Sequence, residues 1–574
     1  MNGPSASHAS VTGTRPADLV LLDGKIVTLD DRMREAQAVA VHDGLITAVG
    51  TTQEIKAAVN PRTEVIDLAG RRVIPGFVEG HGHLTSLGYS LATLNLGDAG
   101  DWREIVERVR QAARAATPGA WIEGSGWHQE KWRMGPGRDV EGYPVHDAIS
   151  QAAPGHPVLL EHSSGHLLIA NAAAMAQAGV TPGTADPPGG RIVRGADGAP
   201  TGVFMETAKD LIWQPLEQER ARRSPAQVET DERQAIQRAT AHCLAMGVTS
   251  FQDAGCMFDD VDRQKRLALA GELGIRMWVM LWESNASIRE RVRDYLDIHR
   301  LGGHRLTVRA IKRLMDGALG ARSAWLLEPY EDLPSTQGFA TTYFPYEDLV
   351  ADDPEAPVGY VAETARLALE HGFQLCTHAI GDRAVREVLN ICERASQDHA
   401  RGQDLRWRVE HASVIAEADL PRFGQLGVIA SMQAVSLPSD GLWMVKRLGE
   451  ARARRRAFVF RSLKRSGAII ANGTDVPVDD VDPLVGFHAM TTCRLADGTS
   501  LWPEERLSRE ESLRAYTLDV AYAAFEEDLK GSIAPGKLAD MVVLTRDIMT
   551  IPEEEILDAQ VAHTILGGEV VYSR

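Results

Sequence analysis

The chain has 574 residues, of which 44% are hydrophobic and 24% charged, a composition typical of a globular protein large enough for several domains. Its formal net charge of −18 argues against nucleic acid or an anionic lipid surface as a partner. The five cysteines lack CxxC spacing, which argues against a disulfide framework or structural zinc knot and favours a reducing compartment. No stretch of the sequence reaches the roughly 20 apolar residues that span a bilayer. We therefore expect a cytoplasmic protein with no membrane partner.

The two ends of the chain have the pattern of β structure. Residues 1–16 are small and polar without an apolar signal segment, so we expect a disordered tail there. Residues 17–73 contain short alternating segments separated by Asp23-Gly24 and Asp43-Gly44, which predict antiparallel strands. Residues 530–574 repeat this pattern. Because neither end has enough strands to bury a face alone, we predict one small β-sandwich domain made from 17–73 and 530–574.

The central part of the chain, residues 74–529, alternates apolar segments with amphipathic helical ones. This alternation predicts βα units around a parallel sheet, and their number favours a distorted (β/α)₈ TIM barrel of the α/β class. Residues of about 90–245 are too irregular for one βα unit, so we predict an insertion over the barrel mouth that shapes a pocket. The predicted strands after it are Val248–Phe251, Arg276–Leu281, Val308–Leu314, Gln374–Thr377, Arg408–Val409, Val428–Met432 and Ala468–Ala471.

A pair of histidines follows the first apolar run of this central part. The run Val73–Val78 leads into Glu79-Gly80-His81-Gly82-His83. A spacing of two residues puts both imidazoles on one face of a β-strand, where they can bind one divalent metal ion. The alternative is two unrelated surface histidines near a turn.

Four more polar residues stand at the C-terminal edges of apolar runs: Lys312, His378, His411 and Asp475. In a barrel these edges converge on one mouth, so residues far apart in the sequence become neighbours. Each residue also has an ordinary structural alternative. Lys312, next to Arg313, could form a salt bridge, the two histidines could be core residues, and Asp475 could cap its loop.

The ordered set HxH, Lys, His, His, Asp resembles the amidohydrolase superfamily. The surrounding sequence resembles its amidohydrolase-3 (YtcJ-like) branch, which includes N-substituted formamide deformylases. The resemblance extends over nearly the whole chain. It includes the segments Leu21–Thr28, Asp316–Gly320, His378–Ala384 and Gly531–Asp540.

The resemblance implies six metal ligands, namely His81, His83, Lys312, His378, His411 and Asp475. His81 and His83 bind a first metal ion with Asp475, while His378 and His411 hold a second. Lys312, as a carbamate derived from CO₂, bridges the two, because a carbamate oxygen can coordinate where an ammonium group cannot. Zinc suits these ligands best, as one or two ions, although manganese, iron, cobalt or nickel could use the same set. Cys256, just past a predicted strand, is an alternative bridging ligand.

The implied reaction is hydrolysis of a non-peptide C–N bond in an amide, N-formyl compound, cyclic amide or carbamate. The substrate is a small, partly apolar molecule, attacked by a metal-activated hydroxide. Asp475 acts as the catalytic proton shuttle. Ester or lactone hydrolysis at the same site is an alternative, and a non-catalytic scaffold is another. The oligomeric state, including a homo-oligomer, stays open.

The predicted substrate-side residues are His166, Trp127, Arg322 and Gln433. His166 could polarise a carbonyl as a second catalytic residue or be a plain loop histidine, and Trp127 could line an apolar pocket or belong to the core. Two departures from the branch affect this region. Glu79-Gly80 replaces the usual Asp-Ser or Asp-Thr before the histidine pair, which can alter support of the metal ligands. Gln433-Ala434-Val435-Ser436 replaces Gln-Pro-x-His, and this lost histidine bears on the substrate more than on the chemistry.

Overall fold

The computed structural model describes residues 16–129, 132–162, 167–187, 190–320, 322–340, 356–398 and 403–574. These residues separate into two compact units. One unit consists of the chain up to residue 83 together with 241–574, and the other consists of residues 84–240. No helix in the described ranges has both the length and the apolar character that crossing a bilayer requires.

The first strands of the chain build parts of two sheets. They are β1 (Leu19–Leu22), β2 (Lys25–Asp30), β3 (Met33–Ala36), β4 (Ala38–His42), β5 (Leu45–Gly50), β6 (Glu64–Asp67) and β7 (Arg72–Pro75). One sheet has the order β5-β4-β1-β6, and β4 pairs with β5 in an antiparallel hairpin, as predicted. The prediction for Asp23-Gly24 was wrong, because this turn joins strands of different sheets. Leu19 and Leu21 of β1 pack with Ile26 of β2 in a core shared by both sheets, so the turn carries the chain from one layer to the other.

The apolar run before the histidine pair is divided between two sheets. Strand β7 ends at Pro75, and β8 (Phe77–Gly82) begins the barrel after Gly76. A Cβ atom at Gly76 would lie 2.2 Å from Thr249 Oγ1, so only glycine fits this crossing. The sequence pattern does not show this break, because the residues on both sides of Gly76 are apolar.

The insertion forms a unit with its own sheet and core. Its strands are β9 (Leu94–Asn95), β10 (Ile122–Trp127), β11 (Asp139–Val140), β12 (Tyr143–Pro144), β13 (Val158–His162), β14 (Leu167–Ala170), β15 (Gly190–Arg194) and β16 (Pro200–Glu206). Its helices are Leu84–Ser90, Trp102–Ala115, Asp147–Ala152, Ala172–Gln177, Asp210–Arg220 and Pro225–Ala245, the last continuing past the unit boundary. The main sheet has the order β15-β16-β14-β13-β10-β9. The predicted position of this insertion over the barrel mouth stays a prediction.

Eight parallel strands form the barrel. After β8 they are β17 (Val248–Cys256), β18 (Arg276–Leu281), β19 (Leu306–Leu314), β20 (Gln374–Ala379), β21 (Arg408–His411), β22 (Ile429–Met432) and β23 (Ile470–Asn472), paired in this order. The ring is drawn together between its first and last strands, because Asp475 N–H donates to His81 C=O at 2.7 Å and His83 N–H donates to Val476 C=O at 2.8 Å. The distorted (β/α)₈ barrel predicted from the sequence is confirmed.

Helices follow the barrel strands, as the alternating pattern predicts. Those of the unit that contains the barrel are Thr52–Ile55, Phe258–Leu269, Asn285–Arg291, Leu301–His304, Ala356–His371, Asp382–Asp398, Leu420–Leu426, Leu437–Leu448, Glu450–Arg456, Phe460–Arg465, Pro483–Thr492, Arg509–Ala515 and Leu518–Ala523.

The last strands join the first ones. They are β24 (Met541–Leu544), β25 (Val561–Leu566) and β26 (Glu569–Ser573), in a sheet of order β26-β25-β24-β7-β2-β3. Strand β24 runs antiparallel to β7, with Val543 opposite Val73. Both chain ends therefore contribute to one β structure, as the sequence predicts.

Candidate metal centre

The six side chains singled out in the sequence stand at one end of the barrel. His81 lies near the end of β8 and His83 just after it; Lys312 lies in β19, His378 in β20 and His411 at the end of β21, and Asp475 follows β23. The ring centroids of His81 and His411 are 4.8 Å apart, and those of His378 and His411 are 4.4 Å apart. Parallel strands bring their carboxyl ends to the same rim, which explains why residues so distant in the sequence meet here.

Asp475 lies among the histidines. Its Oδ1 is 3.3 Å from His83 Nε2 and 3.6 Å from His81 Nε2. Ligand atoms of His81, His411 and Asp475 all lie within 4.8 Å of one another. His81 is 1% exposed and the side chain of Asp475 19%, so the group is largely shielded and only the carboxylate has partial access to solvent.

His81 is oriented by a buried carboxylate. Its Nδ1 lies 2.5 Å from Glu410 Oε2. Burial alone would raise the pKa of Glu410, but the adjacent Arg408 guanidinium holds it well below its usual range, so the carboxyl group is ionised. An ionised carboxylate can accept a hydrogen bond but cannot donate one. The Nδ1–H of His81 therefore donates to Glu410, and its Nε2 keeps a lone pair for a metal ion.

His411 is oriented in a similar way by a neutral amide. Its Nδ1–H donates to Gln433 Oε1 at 2.8 Å, which leaves Nε2 as the free donor atom. Two of the residues in this cluster hold positive backbone φ angles, 72° at His411 and 59° at Asp475. Non-glycine residues rarely adopt this conformation, and such strain tends to occur at functional sites.

Lys312 and His378 complete the cluster from neighbouring strands. Lys312 is 4% exposed, and its Nζ lies 3.2 Å from His81 Nε2. His378 Nε2 lies 3.4 Å from Asp316 Oδ1 and 3.5 Å from the carbonyl oxygen of Gly317. Asp316 is fully buried and also accepts hydrogen bonds from the N–H groups of Ile380 and Gly381. It therefore ties the loop after β19 to the loop that follows His378.

Glu79, one of the departures from the branch pattern, supports the backbone between the histidine pair and Asp475. Its carboxyl group accepts from His81 N–H at 3.0 Å, from Thr474 N–H at 2.7 Å and from Thr474 Oγ1 at 2.9 Å. Burial raises the pKa of Glu79 to about 8, and these hydrogen bonds only partly oppose the shift. The longer Glu79 side chain thus still supports the backbone of the strand that carries His81.

The electrostatics of the cluster favour metal-binding protonation states. Burial and the nearby Lys312 lower the pKa of His81 to about 4, and burial together with His378 lowers the pKa of His411 well below its usual range. Burial alone would raise the pKa of Asp475, but the hydrogen bond from His83 and the neighbouring imidazoles hold it well below normal. Neutral imidazoles and an ionised carboxylate are the forms that bind a metal ion.

A divalent metal ion fits this set of side chains. Zinc in catalytic sites takes imidazole nitrogens and a carboxylate oxygen at about 2.0–2.2 Å, so its ligand atoms lie roughly 3–4 Å apart. The observed distances are close to this range. The orienting acceptors behind His81 and His411 are those found behind metal-bound histidines.

The other predicted residues have varied surroundings. Arg322 forms a two-point ion pair with Asp332, with Nε–Oδ1 and Nη2–Oδ2 distances of 3.2 and 2.9 Å. Trp127 is fully buried in the core of the insertion unit, where its Nε1–H donates to Leu160 C=O, so it has the core position that the sequence left as its alternative. His166 lies outside the described residues. Cys256 is buried, and its Sγ accepts from Gln264 Nε2 at 3.4 Å.

Sequence reasoning missed the buried partners Arg408, Glu410 and Asp316. A signal for the first two was present, because Arg408 and Glu410 are two residues apart in a short apolar strand and therefore share one face. Two opposite charges on the buried face of one strand indicate a pair, since buried charges are rarely left alone. Their contact with His81 could not be read from the sequence.

Comparison with known proteins shows which family the chain belongs to. The family model described as "Amidohydrolase family" matches residues 64–572. The putative amidohydrolase YtcJ of Bacillus subtilis is 29% identical over 96% of this chain and 98% of its own length. The protein LONG AFTER FAR-RED 3 of Arabidopsis thaliana is 32% identical over 97% of this chain and 92% of its own length. The N-substituted formamide deformylase of Arthrobacter pascens is 26% identical over 98% and 99%, respectively.

Solved structures agree on the architecture. An uncharacterized metal-dependent hydrolase from Pyrococcus furiosus superposes with a TM-score of 0.70, at 26% identity over 93% of this chain and all of the other. The barrel, the histidines and carboxylate at its rim and this similarity together define a metal-dependent hydrolase. The chain belongs to the amidohydrolase-3 branch of the amidohydrolase family.

Proposed function

We propose that this protein hydrolyses a non-peptide C–N bond of a small, partly apolar molecule. The bond would belong to an amide, an N-formyl compound, a cyclic amide or a carbamate. The observation that carries the proposal is the position of the Asp475 carboxylate, within 3.3–3.6 Å of two histidine Nε2 atoms and 19% exposed. A single group can there help to hold a metal ion and still exchange a proton with water.

His81, His83 and Asp475 would hold a first metal ion, and His378 and His411 a second, with Lys312 available to both. When bound, such an ion lowers the pKa of a coordinated water toward about 7 and polarises a carbonyl group. Asp475 would accept a proton from water and return it to the departing nitrogen. This proton transfer matters most for C–N bonds, because an amine leaves poorly as an anion.

Lys312 is proposed to react with CO₂ and form a carbamate. Burial lowers the pKa of Lys312, which favours the neutral amine that CO₂ requires. Its Nζ lies 3.2 Å from His81 Nε2, so an oxygen ligand carried by this side chain would lie beside the first metal-binding histidine. Zinc is the proposed metal because it suits mixed imidazole and oxygen ligands.

The relatives support an amide-type substrate without naming it for this chain. The deformylase from Arthrobacter pascens acts, by its name, on N-substituted formamides, and it matches along almost the whole chain at 26% identity. The five cysteines are buried and form no disulfide, which supports the proposed cytoplasmic location.

The test is a hydrolysis screen of amides, N-formyl compounds, cyclic amides, carbamates, esters and lactones with zinc-loaded protein. We expect turnover of at least one C–N substrate and a loss of about 10²- to 10⁴-fold in kcat/KM for Asp475→Asn. Asp528→Asn is the control, because Asp528 is exposed and pairs only with Arg300 among the described ion pairs. Turnover of esters or lactones alone would contradict C–N specificity. Undiminished turnover by Asp475→Asn would contradict its role as the proton shuttle.

Metal analysis tests the scaffold alternative. We expect the purified protein to contain a transition metal, or to take up zinc when zinc and bicarbonate are added. A chain that binds no metal under these conditions would contradict the proposed hydrolase and favour a non-catalytic barrel.

A further inference from the structure

A buried ion pair lies directly behind the first metal-binding histidine. Arg408 Nε is 2.6 Å from Glu410 Oε1, and Arg408 Nη2 donates to Glu410 Oε2 at 3.0 Å. The same Oε2 accepts the Nδ1–H of His81. Glu410 is 0% exposed, and Arg408 and His81 are 1% exposed.

The guanidinium group is itself fixed from three further strands. Its Nη2 lies 2.7 Å from the Gly80 carbonyl oxygen and 2.9 Å from Ser431 Oγ, and its Nη1 donates to Gln252 Oε1 at 2.5 Å. These partners belong to β8, β22 and β17, whereas Arg408 belongs to β21. The Arg408 guanidinium group therefore has little freedom to move, and the Glu410 carboxylate bound to it is fixed as well.

We propose that Arg408 and Glu410 act as a positioning pair that fixes the ring of His81 and strengthens its Nε2 as a metal ligand. The inference rests on the metal site of the proposed function and adds residues that neither touch the ion nor belong to the ligand set. A carboxylate that accepts the far N–H of a ligating histidine locks its tautomer and raises its basicity. His411 has only the neutral Gln433 amide in this position, so the two imidazoles are supported unequally.

A structural role alone would leave metal affinity unchanged in folded protein. The chain offers a matched control in another buried arginine–carboxylate pair, Arg276 and Asp540, with side chains 5% and 3% exposed. Its contacts of 2.7 and 2.9 Å are equally close, and it lies at the opposite end of a barrel strand. Asp540→Asn thus disturbs a comparable pair away from the cluster.

The experiment measures zinc dissociation constants by competition with a chromophoric chelator for wild type, Glu410→Gln, Glu410→Asp and Asp540→Asn. Folding is checked by near-UV circular dichroism. We expect affinity to fall about 10- to 100-fold in both Glu410 variants and to stay near wild type in Asp540→Asn. Should Glu410→Gln fail to fold, Glu410→Asp decides the question, because it keeps the charge beside Arg408 but shortens the reach to His81.

A second readout is the visible absorption of the cobalt-loaded protein, which reports the ligand field and not the stability. We expect the spectrum to change in the Glu410 variants and to stay the same in Asp540→Asn. Unchanged zinc affinity and an unchanged cobalt spectrum in Glu410→Asp would overturn the inference while leaving the proposed hydrolase intact. A wild-type protein that binds neither metal would contradict both.

Discussion

The ion pair between Arg276 and Asp540 connects the barrel to the sheet built from both chain ends. Arg276 begins β18, and Asp540 directly precedes β24. Besides its two contacts with the guanidinium group, the Asp540 carboxylate accepts from Gly567 N–H at 2.8 Å. Replacing Asp540 with Asn removes the charge but leaves Arg276 buried.

The expected cost follows from the burial of the pair. Breaking a buried ion pair on one side costs about 3–5 kcal/mol, because the remaining charge is left uncompensated. Asparagine keeps one acceptor oxygen, so we expect the lower end, about 3 kcal/mol. For a cooperative unit of roughly 400 residues the entropy of unfolding is about 0.8 kcal/mol/K, so the melting temperature should fall by about 4 °C.

Differential scanning calorimetry near pH 7 measures this shift, with Asp528→Asn as the exposed control. The pair of Asp528 and Arg300 has exposed side-chain fractions of 61% and 27%, and we expect its loss to cost no more than about 1 kcal/mol. Equal melting temperatures for the two variants would refute the argument that the buried pair is held against a desolvation penalty. A double-mutant cycle with Arg276→Met should then give a coupling energy near zero.

Three further outcomes are expected. Protein reconstituted without CO₂ should gain activity and a ¹³C-carbamate NMR signal when labelled bicarbonate is added, and Lys312→Met should show neither response; a signal that persists in Lys312→Met would exclude this lysine. Gln433→Leu removes the acceptor of His411, so zinc affinity should fall about 10-fold, whereas a raised KM with unchanged zinc affinity would instead support the predicted substrate contact. The third outcome concerns the pKa of Glu511. Burial alone would raise this pKa, but hydrogen bonds from Arg461 and from Ser508 at the start of a short helix lower it to about 2, below its usual 4.5. Its stabilisation is therefore complete above about pH 4.5 and lost as the pH falls toward 2, so thermal melts should separate wild type from Glu511→Gln widely near pH 7 and less near pH 3; a constant separation would contradict the assignment.

The local pattern of the sequence was sufficient to predict the positions of most barrel strands. Predicted strands such as Arg276–Leu281 and Gln374–Thr377 coincide with β18 and the first part of β20. Their boundaries are readable because a strand buried on both faces is continuously apolar and ends where polar residues begin. The same rule put His378 and Asp475 at strand ends, and the resemblance to the amidohydrolase branch then identified them as candidate metal ligands.

Other features needed the tertiary structure. The continuous apolar run Val73–Val78 serves two sheets, and only the crossing beside Thr249 reveals why Gly76 divides it. The sequence allowed Trp127 to line a pocket or to belong to the core, and the structure buries it in a hydrophobic core. The fold of the insertion also depends on strand order, which local periodicity does not encode.

The hydrogen-bond partners of the candidate metal ligands show this difference most clearly. Glu410 is 329 positions from His81 in the sequence, and Gln433 is 22 positions from His411. The sequence alone determined which side chains stand at the rim, because strand period and strand ends are local properties. Only the closure of the barrel decided which carboxylate or amide lies behind each imidazole, since hydrogen bonds depend on distances between strands that the chain's local pattern does not contain.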